Sequence, residues 1–457
     1  MKKLSFFFYL LAGLALVPLS CTREFLAKKP SKSLLVPTTL TDFQALLDFT
    51  DDMNVAPGLN VISADDFYRA GNTFGSLSAV AQNAYTWAKN VYAGTAVGDW
   101  DKPYDQVFVA NVVLDGLKNL GAGSYAPADY NAVKGSALFL RAFAFYGLAQ
   151  EFAADYSTGT ALPGVPIRLS ADVNVIAGRG TLGQTYAQIT TDLGQAAALL
   201  PQTAAFKSRP CKAAAEALLA RVYLSMGDYD NALAAATACL ALNSSLTDYN
   251  TLQPSASRPF PSPLPDAAEE VLYYSTLIST SSYNSSASTL VDTLLYGSYA
   301  ADDLRKSLYF NAKGPGNIVF KGNYSGSSAM FGGLATDEVY LVRAECYARR
   351  NDVADALADL NALLVTRWKT GSFVPFTAAG GGEALSLVLS ERRKELAGRG
   401  LRWSDLRRLN GDPRFAVTLS RAVNGITYTL LPSSPNYVLP IPDNEISGSG
   451  IPQNPRN

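Results

Sequence analysis

Two stretches of the chain carry residue types that suit a polyhydroxylated ligand. In "SADDFYRAGNTFG", Asp65, Asp66, Arg69 and Asn72 supply hydrogen-bonding groups, and Trp87, Tyr92 and Trp100 follow with aromatic rings. The second stretch combines Tyr283, Asn284, Tyr296 and Tyr299. Sugars present flat faces of C–H groups and rims of hydroxyls, so their sites pair exposed rings with amides, carboxylates or guanidinium groups. The competing role for each ring is packing against the scaffold, where aromatic residues are mostly buried. On that basis Trp368 and Trp403, in or beside helical segments, are assigned to the core.

Other chemistries are narrowed by what the chain lacks. There is no histidine among its 457 residues, which removes Ser-His-Asp and Cys-His catalysis and imidazole zinc sites. Carboxylate-based glycoside hydrolysis needs no histidine, but no acidic pair is singled out. Asp65 with Asp66, and Asp302 with Asp303, lack the alternating oxygen ligands and turn glycine of a calcium loop. "DWDKPYDQ" begins suitably at Asp99 and Asp101 and fails at Pro103. "AAGGGEAL" lacks the lysine and spacing of a phosphate-cradling loop, so neither metal nor cofactor is expected. A net charge of −1 argues against nucleic acid, which binds through excess Lys and Arg. Cys211, Cys239 and Cys346 have no metal-ligand spacing and read as small buried apolar residues, with a Cys211 to Cys239 bridge as the alternative.

Cys21 stands apart from these. Met1, Lys2 and Lys3 make a basic start, and a mostly apolar segment runs from Leu4 to Leu19, broken by Pro18 and too short to span a bilayer. A secretory signal at 1–20 fits, with Ser20 as the small residue before cleavage. The junction resembles a bacterial lipobox, in which the new N-terminal cysteine is acylated. At about 0.8 kcal/mol per buried methylene, two or three acyl chains hold a protein on a membrane surface without spanning it.

The elements that must position these residues emerge from an internal repeat. In "LLARVYLSMGDYDNALAAATACLAL", Ala220, Tyr223, Gly227, Tyr229, Ala232, Ala236 and Cys239 occupy key positions. In "EVYLVRAECYARRNDVADALADLNALL" the same offsets fall on Ala344, Tyr347, Asn351, Val353, Ala356, Leu360 and Leu363, a constant register of 124 residues. Each segment predicts two antiparallel helices joined at a Gly or Asn turn, with small residues where the helices cross, and resembles the tetratricopeptide repeat. A split unit joins "ALFLRAFAFYGLAQEFA" to "TYAQITTDLGQAAALLP" across a Gly- and Pro-containing linker, and "YDQVFVANVVLDGLKNL" predicts an earlier helix that pairs with the first. The 48% hydrophobic and 17% charged composition can bury a large core. The expected fold is therefore mainly α: tetratricopeptide-like hairpins form a scaffold over about 100–242 and 335–410, with an irregular inserted lobe over about 243–334. That lobe is rich in Ser, Asn, Gly and Pro, but Tyr273, Tyr274, Tyr283, Tyr296, Tyr299, Tyr324 and Phe331 supply apolar surface that disordered segments lack.

Near the end, "ERRKELAGRGLRWSDLRRLN" concentrates arginines. Glu391 with Lys394 and Glu395 with Arg399 are spaced to pair along one helix face. Arg402, Arg407 and Arg408 read as buttresses of the fold, with an anion site as the alternative. Pro440 and Pro442 in "YVLPIPDNEISGSGIPQNP" imply an extended ending. Together with "CTREFLAKKPSKSLLVPTTLTDFQALLD" and the split repeats, these segments resemble the SusD/RagB family of outer-membrane nutrient-binding lipoproteins across essentially the whole chain, although Ala397, Gly398, Arg399 and Gly400 lack the acidic residue usual in that turn. The resemblance implies one SusD-like domain over 21–457, lipid-anchored through Cys21 at the cell surface. It also implies a non-catalytic role, in which the protein captures an oligosaccharide or other nutrient for a SusC-like TonB-dependent transporter. A lipid-anchored scaffold that binds only a protein is the alternative from another class.

Overall fold

In a computed structural model the described residues are 37–457, apart from 70, 122, 124, 262–263, 265–267 and 279, with the side chains of residues 71, 72, 281 and 285 also outside the description. The signal segment and Cys21 lie outside them. Residues Thr39–Asn457 form one compact unit.

Helices dominate that unit. Helix α1 (Leu40–Leu47) is followed by α2 (Gly98–Leu120), α3 (Pro127–Phe152), α4 (Leu182–Leu199), α5 (Lys212–Met226) and α6 (Tyr229–Leu242). After the insertion come α7 (Thr336–Arg349), α8 (Val353–Leu364), α9 (Gly381–Glu395) and α10 (Arg402–Leu409). From α2 to α8 each helix packs on the next, with α9 against α7 and α8. The expected pairing of α2 with α3, and of α3 with α4 across the linker, is observed. Helix α3 is long and apolar enough to cross a membrane, but most of its apolar stretch is buried between neighbouring helices.

The two repeated hairpins are built alike at their turns. Gly227 and Asn351 both adopt left-handed backbone, with φ of 73° and 62°, which Gly tolerates freely and Asn better than most residues. The aspartate after each one, Asp228 or Asp352, caps the next helix by accepting from Asn231 N at 3.2 Å or Asp355 N at 3.4 Å. Ala220, Ala232, Ala236, Ala344 and Ala356 are fully buried where the helices cross, so larger side chains there would overpack the seam at about 1–3 kcal/mol each. Helix α4 begins with a capping box between Thr181 and Gln184.

Between α6 and α7 the chain makes only short elements, and among the described residues no helix there exceeds six residues. The segment is nonetheless packed: Tyr249, Tyr273, Tyr299, Tyr309 and Phe331 are essentially buried. The Tyr249 hydroxyl meets those of Tyr309 and Tyr324 at 2.8 and 3.0 Å. Two of its strands reach back to the start of the unit. Thr276–Leu277 pairs in parallel with Val55–Ala56, and Thr289–Val291 pairs antiparallel with Phe67–Arg69. Cys211, Cys239 and Cys346 are free and buried, so the alternative of a Cys211 to Cys239 bridge is excluded. Trp403 is buried and Trp368 partly buried against Phe373, as their assignment to the core requires.

Candidate functional site

The strand pair Phe67–Arg69 with Thr289–Val291 joins the two stretches singled out in the sequence. Alternation along the strand sends Phe67 and Arg69 inward and leaves Tyr68 partly exposed. Across the pair, Arg69 donates to Thr289 Oγ1 at 2.8 Å and to Ser286 Oγ at 2.9 Å. It also donates to Thr73 O at 3.1 Å and Ser76 Oγ at 2.8 Å. One buried guanidinium thus fastens the inserted segment to the loop after Arg69, without a carboxylate partner among the described residues.

Two cavities meet at Arg69. The larger, of about 610 Å³, runs beside Asp65, Tyr68, Asp292 and Arg393 and is closed by Thr418 and Ser420. Its outer wall is the hairpin Leu419–Val423 and Ile426–Leu430, turned by Asn424 and Gly425 with φ of 51° and 81°. Asn-Gly between alternating residues is a strong hairpin signal, and reading it would have exposed this wall in the sequence. Arg421, on the inward face of the hairpin, donates to the carbonyls of Ile62 at 3.0 Å and Ser63 at 3.3 Å and also to those of Ala64 and Tyr85. Its guanidinium lies 3.8 Å over the Tyr85 ring and 4.7 Å over Trp87. The second cavity, of about 450 Å³, is lined by Arg69, Ser76, Ser78, Asp99, Tyr283 and Ser286 among others. The Tyr283 hydroxyl is buried there without a hydrogen-bond partner among the described residues.

Charge in the larger cavity is unevenly tied down. Asp65 is gripped by Arg402 at 2.7 and 2.9 Å. Burial acts to raise its pKa, but Arg402 and Arg393 hold it down at about 2. Asp66 does not line the cavity; burial pushes it up to about 6 against the pull of Arg393. Arg393 is a quarter exposed and stands among Asp65, Asp66 and Asp292 at 3.2, 3.4 and 3.5 Å, each contact longer than those of Arg402.

The structure separates the remaining candidates. Trp87 is 4% exposed and donates its ring N–H to Ser63 O at 2.9 Å. Trp100 is 3% exposed, with Tyr104 and Phe152 ring centroids each 4.9 Å away. Neither ring offers a free face. Tyr92 is buried in a cavity beside Arg456 at the C-terminal segment. Tyr299 is buried and donates to Lys394 O at 2.7 Å, while Tyr296 packs on Phe310 with Lys306 over its ring. Asn284 donates to Ser328 O at 2.9 Å. The Asn72 side chain lies outside the described residues. Tyr68 and the Leu419–Leu430 hairpin were missed by residue-type reasoning.

Apart from Arg393, which reaches the cavity, the arginine-rich end is structural. The Glu391 and Lys394 pair forms as spaced, but the expected Glu395 and Arg399 pair does not. Arg399 turns to Asp337 at 2.9 Å, and Glu395 instead receives Arg305 and Arg367 at 3.0 and 2.7 Å. Helix α9 ends at Glu395, so Arg399 lies beyond it and meets the buried carboxylates of α7, while Glu395 is left to the two buried arginines. Arg407 donates to the carbonyls of Gln150 and Ala153, and Arg408 grips Glu345 and Asp405. With Arg402 held by Asp65, none of the three is left for an anion.

Comparison with known proteins agrees with this architecture. A family described as starch-binding and associating with the outer membrane matches residues 24–224, and the SusD family matches residues 336–456. The SusD-like protein P2 of Formosa agariphila is 30% identical over 135 residues, 29% of this chain and 25% of that protein, so the match spans about a quarter of the relative's length. A SusD superfamily protein from Bacteroides thetaiotaomicron superposes with a TM-score of 0.73 at 21% identity, covering 92% of this chain and 100% of the other. The surface glycan-binding protein A of Bacteroides uniformis does so with a TM-score of 0.70 at 19% identity, covering 91% and 99%. At these identities the two superpositions establish the fold. With the family matches on both sides of the insertion covering more than half of its residues, the chain belongs to the SusD family.

Proposed function

We propose that this protein is a non-catalytic, lipid-anchored binding protein of the outer-membrane surface. In this reading it captures an oligosaccharide in the cleft beside Phe67–Arg69 and passes it to a TonB-dependent transporter of the SusC kind. The observation that carries it is the pairing of a partly exposed Tyr68 ring with the polar rim of Asp65, Asp292, Arg393 and Ser420 in a cavity of about 610 Å³. A ring face beside convergent hydrogen-bonding groups suits the alternating apolar and hydroxyl surfaces of a sugar. The starch-binding, outer-membrane-associating character of the matched family supports the same reading, as does the structural likeness to a surface glycan-binding protein of B. uniformis. A non-catalytic role agrees with the acidic residues here: Asp65 is tied to Arg402, Asp292 caps a helical turn by accepting from Leu295 N, and Asp66, the one with a raised pKa, is buried away from the cavity.

The test is calorimetric titration of the soluble form beginning after Cys21 against a panel of neutral and acidic oligosaccharides, with Tyr68→Ala beside the wild type. Binding weakened about tenfold by the substitution supports the cleft, since loss of a ring contact removes about 0.5–1.5 kcal/mol and its buried area adds to that. Unchanged affinity moves the ligand elsewhere. Release of reducing ends during incubation would replace the reading with a glycosidase.

A further inference from the structure

Thirteen large apolar side chains are exposed in the described structure, and five of them, Leu162, Leu169, Val173, Val175 and Ile176, fall within the single linker between α3 and α4. Val173 and Ile176 are 70% and 69% exposed. Scattered exposed apolar residues need no explanation, but a cluster of this kind marks a contact surface. The linker is not loose. Asn111 of α2 donates to Arg168 O at 3.0 Å, Asp115 accepts from Ala171 N at 3.1 Å, and Tyr104 donates to Pro166 O at 3.0 Å. At its far end Arg179 donates to Pro452 O and Asn454 Oδ1 at 2.9 and 2.8 Å. The stretch carrying Val173, Val175 and Ile176 is therefore tied down on both sides, at Ala171 and at Arg179.

Between this linker, α2 and the short helix Asp443–Ser449 runs a groove of about 400 Å³. One wall is Val173, Val175 and Ile176, and the opposite side carries Asp101, Asp105 and Glu445. None of these three carboxylates forms an ion pair with a described residue; nearby Lys102 is taken by Asp52. On α2, Asp101, Asp105, Phe108, Asn111 and Asp115 recur every three or four residues and lie along one stripe, so exposed Phe108 continues the apolar surface next to the linker's anchors. Asp101 and Glu445 sit in first helical turns, where negative charge is favourable. That accounts for two of the acids, and for neither Asp105 nor the apolar wall. Arg168 is the one cation lining the groove, and among the described residues it has no carboxylate partner.

We propose that this groove docks a protein segment carrying both apolar and basic side chains, and that the segment belongs to the transporter, a step that rests on the partner named under the proposed function. Charge selects the class of occupant. Three carboxylates against the single Arg168 leave the groove net negative, which disfavours an anionic lipid surface, and a two-fold contact with a second copy of this chain would bring two net-negative grooves together. Stable interfaces bury more than about 1,000 Å² in total, so the groove is an anchor within a wider contact.

The test co-expresses the full-length chain with the TonB-dependent transporter and measures co-purification from detergent-solubilised membranes. Two variants are compared with the wild type: Val173→Asp with Ile176→Asp, and Asp101→Asn with Asp105→Asn. The first is expected to reduce recovered transporter at least tenfold, with oligosaccharide titration of the isolated chain unchanged. The second is expected to reduce it severalfold and to flatten its dependence on salt. Transporter recovery unchanged in both variants overturns the groove alone, as does a concentration-dependent dimer that Val173→Asp with Ile176→Asp abolishes. No transporter recovered with the wild type overturns the partner reading itself, and the docking proposal with it.

Discussion

The inserted segment touches the rest of the molecule in two different ways. Along the seam with α9 and the turn after α8, buried arginines are saturated by carboxylates at short distances. Arg305 binds Asp303 and Glu391 at 2.7 Å and Glu395 at 3.0 Å, and Arg367 binds Glu395 and Glu270 at 2.7 and 2.9 Å, all essentially without solvent contact. Along the cleft proposed for the ligand, Arg69 and Arg421 spend their donors on hydroxyls and carbonyls, and Arg393 is partly exposed with three loose carboxylate contacts. A dry, saturated network fixes one geometry, because breaking any member strands charge in a low dielectric. A partly solvated guanidinium with long contacts can exchange them for a ligand's at little cost. The seam is thus a rigid mount, and the cleft is the adaptable face that it holds in place.

The largest expected effect breaks the seam. Arg305→Met leaves Asp303, Glu391 and Glu395 buried without their shared partner and is expected to cost about 3–5 kcal/mol in denaturant unfolding; a loss below about 1 kcal/mol would erase the distinction between the two regions. Smaller in size, Asp99→Asn tests a buried acid on the second cavity's wall. Asp99 Oδ1 accepts from Gly58 N and Leu59 N at 2.5 and 2.8 Å, and burial still pushes its pKa up to about 6. Between about pH 4 and 6 the folded protein therefore binds the proton that the unfolded chain releases, and this group's contribution to stability is lost as pH rises through that window. Asparagine keeps the acceptor and removes the charge. The expected outcome is a variant more stable by up to about 3 kcal/mol at pH 7.5 and equal to the wild type at pH 4, and equal stability at both pH values would contradict it.

Two further substitutions sharpen the contrast from the cleft side. Tyr68→Ala should weaken oligosaccharide binding about tenfold while changing stability by less than about 1 kcal/mol, because its ring is already partly in water. Arg393→Gln should reduce affinity about threefold and leave stability within about 0.5 kcal/mol, as expected for a partly exposed, loosely paired charge. If Arg393→Gln instead destabilises as strongly as Arg305→Met, the cleft is part of the mount.

The helical hairpins were legible because their signals are local. Ala220, Gly227 and Asp228, and their counterparts Ala344, Asn351 and Asp352, specify crossing, turn and cap within a few residues of each other. The order of the inserted segment was legible from its tyrosines. Ring exposure was not: Trp87 and Trp100 have the composition of a sugar platform, yet both face the core, and Tyr68 between two inward neighbours is the ring that reaches the cleft. Strand alternation settles that direction only once the partner strand, more than 200 residues away, is known.

By itself the sequence determined that the body is a stack of helix pairs carrying a long aromatic insertion, since helix periodicity, turn residues and capping act over fewer than ten positions. It also determined the chemical repertoire by containing no histidine. Only the tertiary structure decided which arginine meets which carboxylate. Glu395 was placed to pair with Arg399 one turn away and was claimed instead by Arg305 and Arg367. Buried charges are matched by whatever the fold brings beside them, because leaving any one unpaired costs more than a nearby helical pair returns.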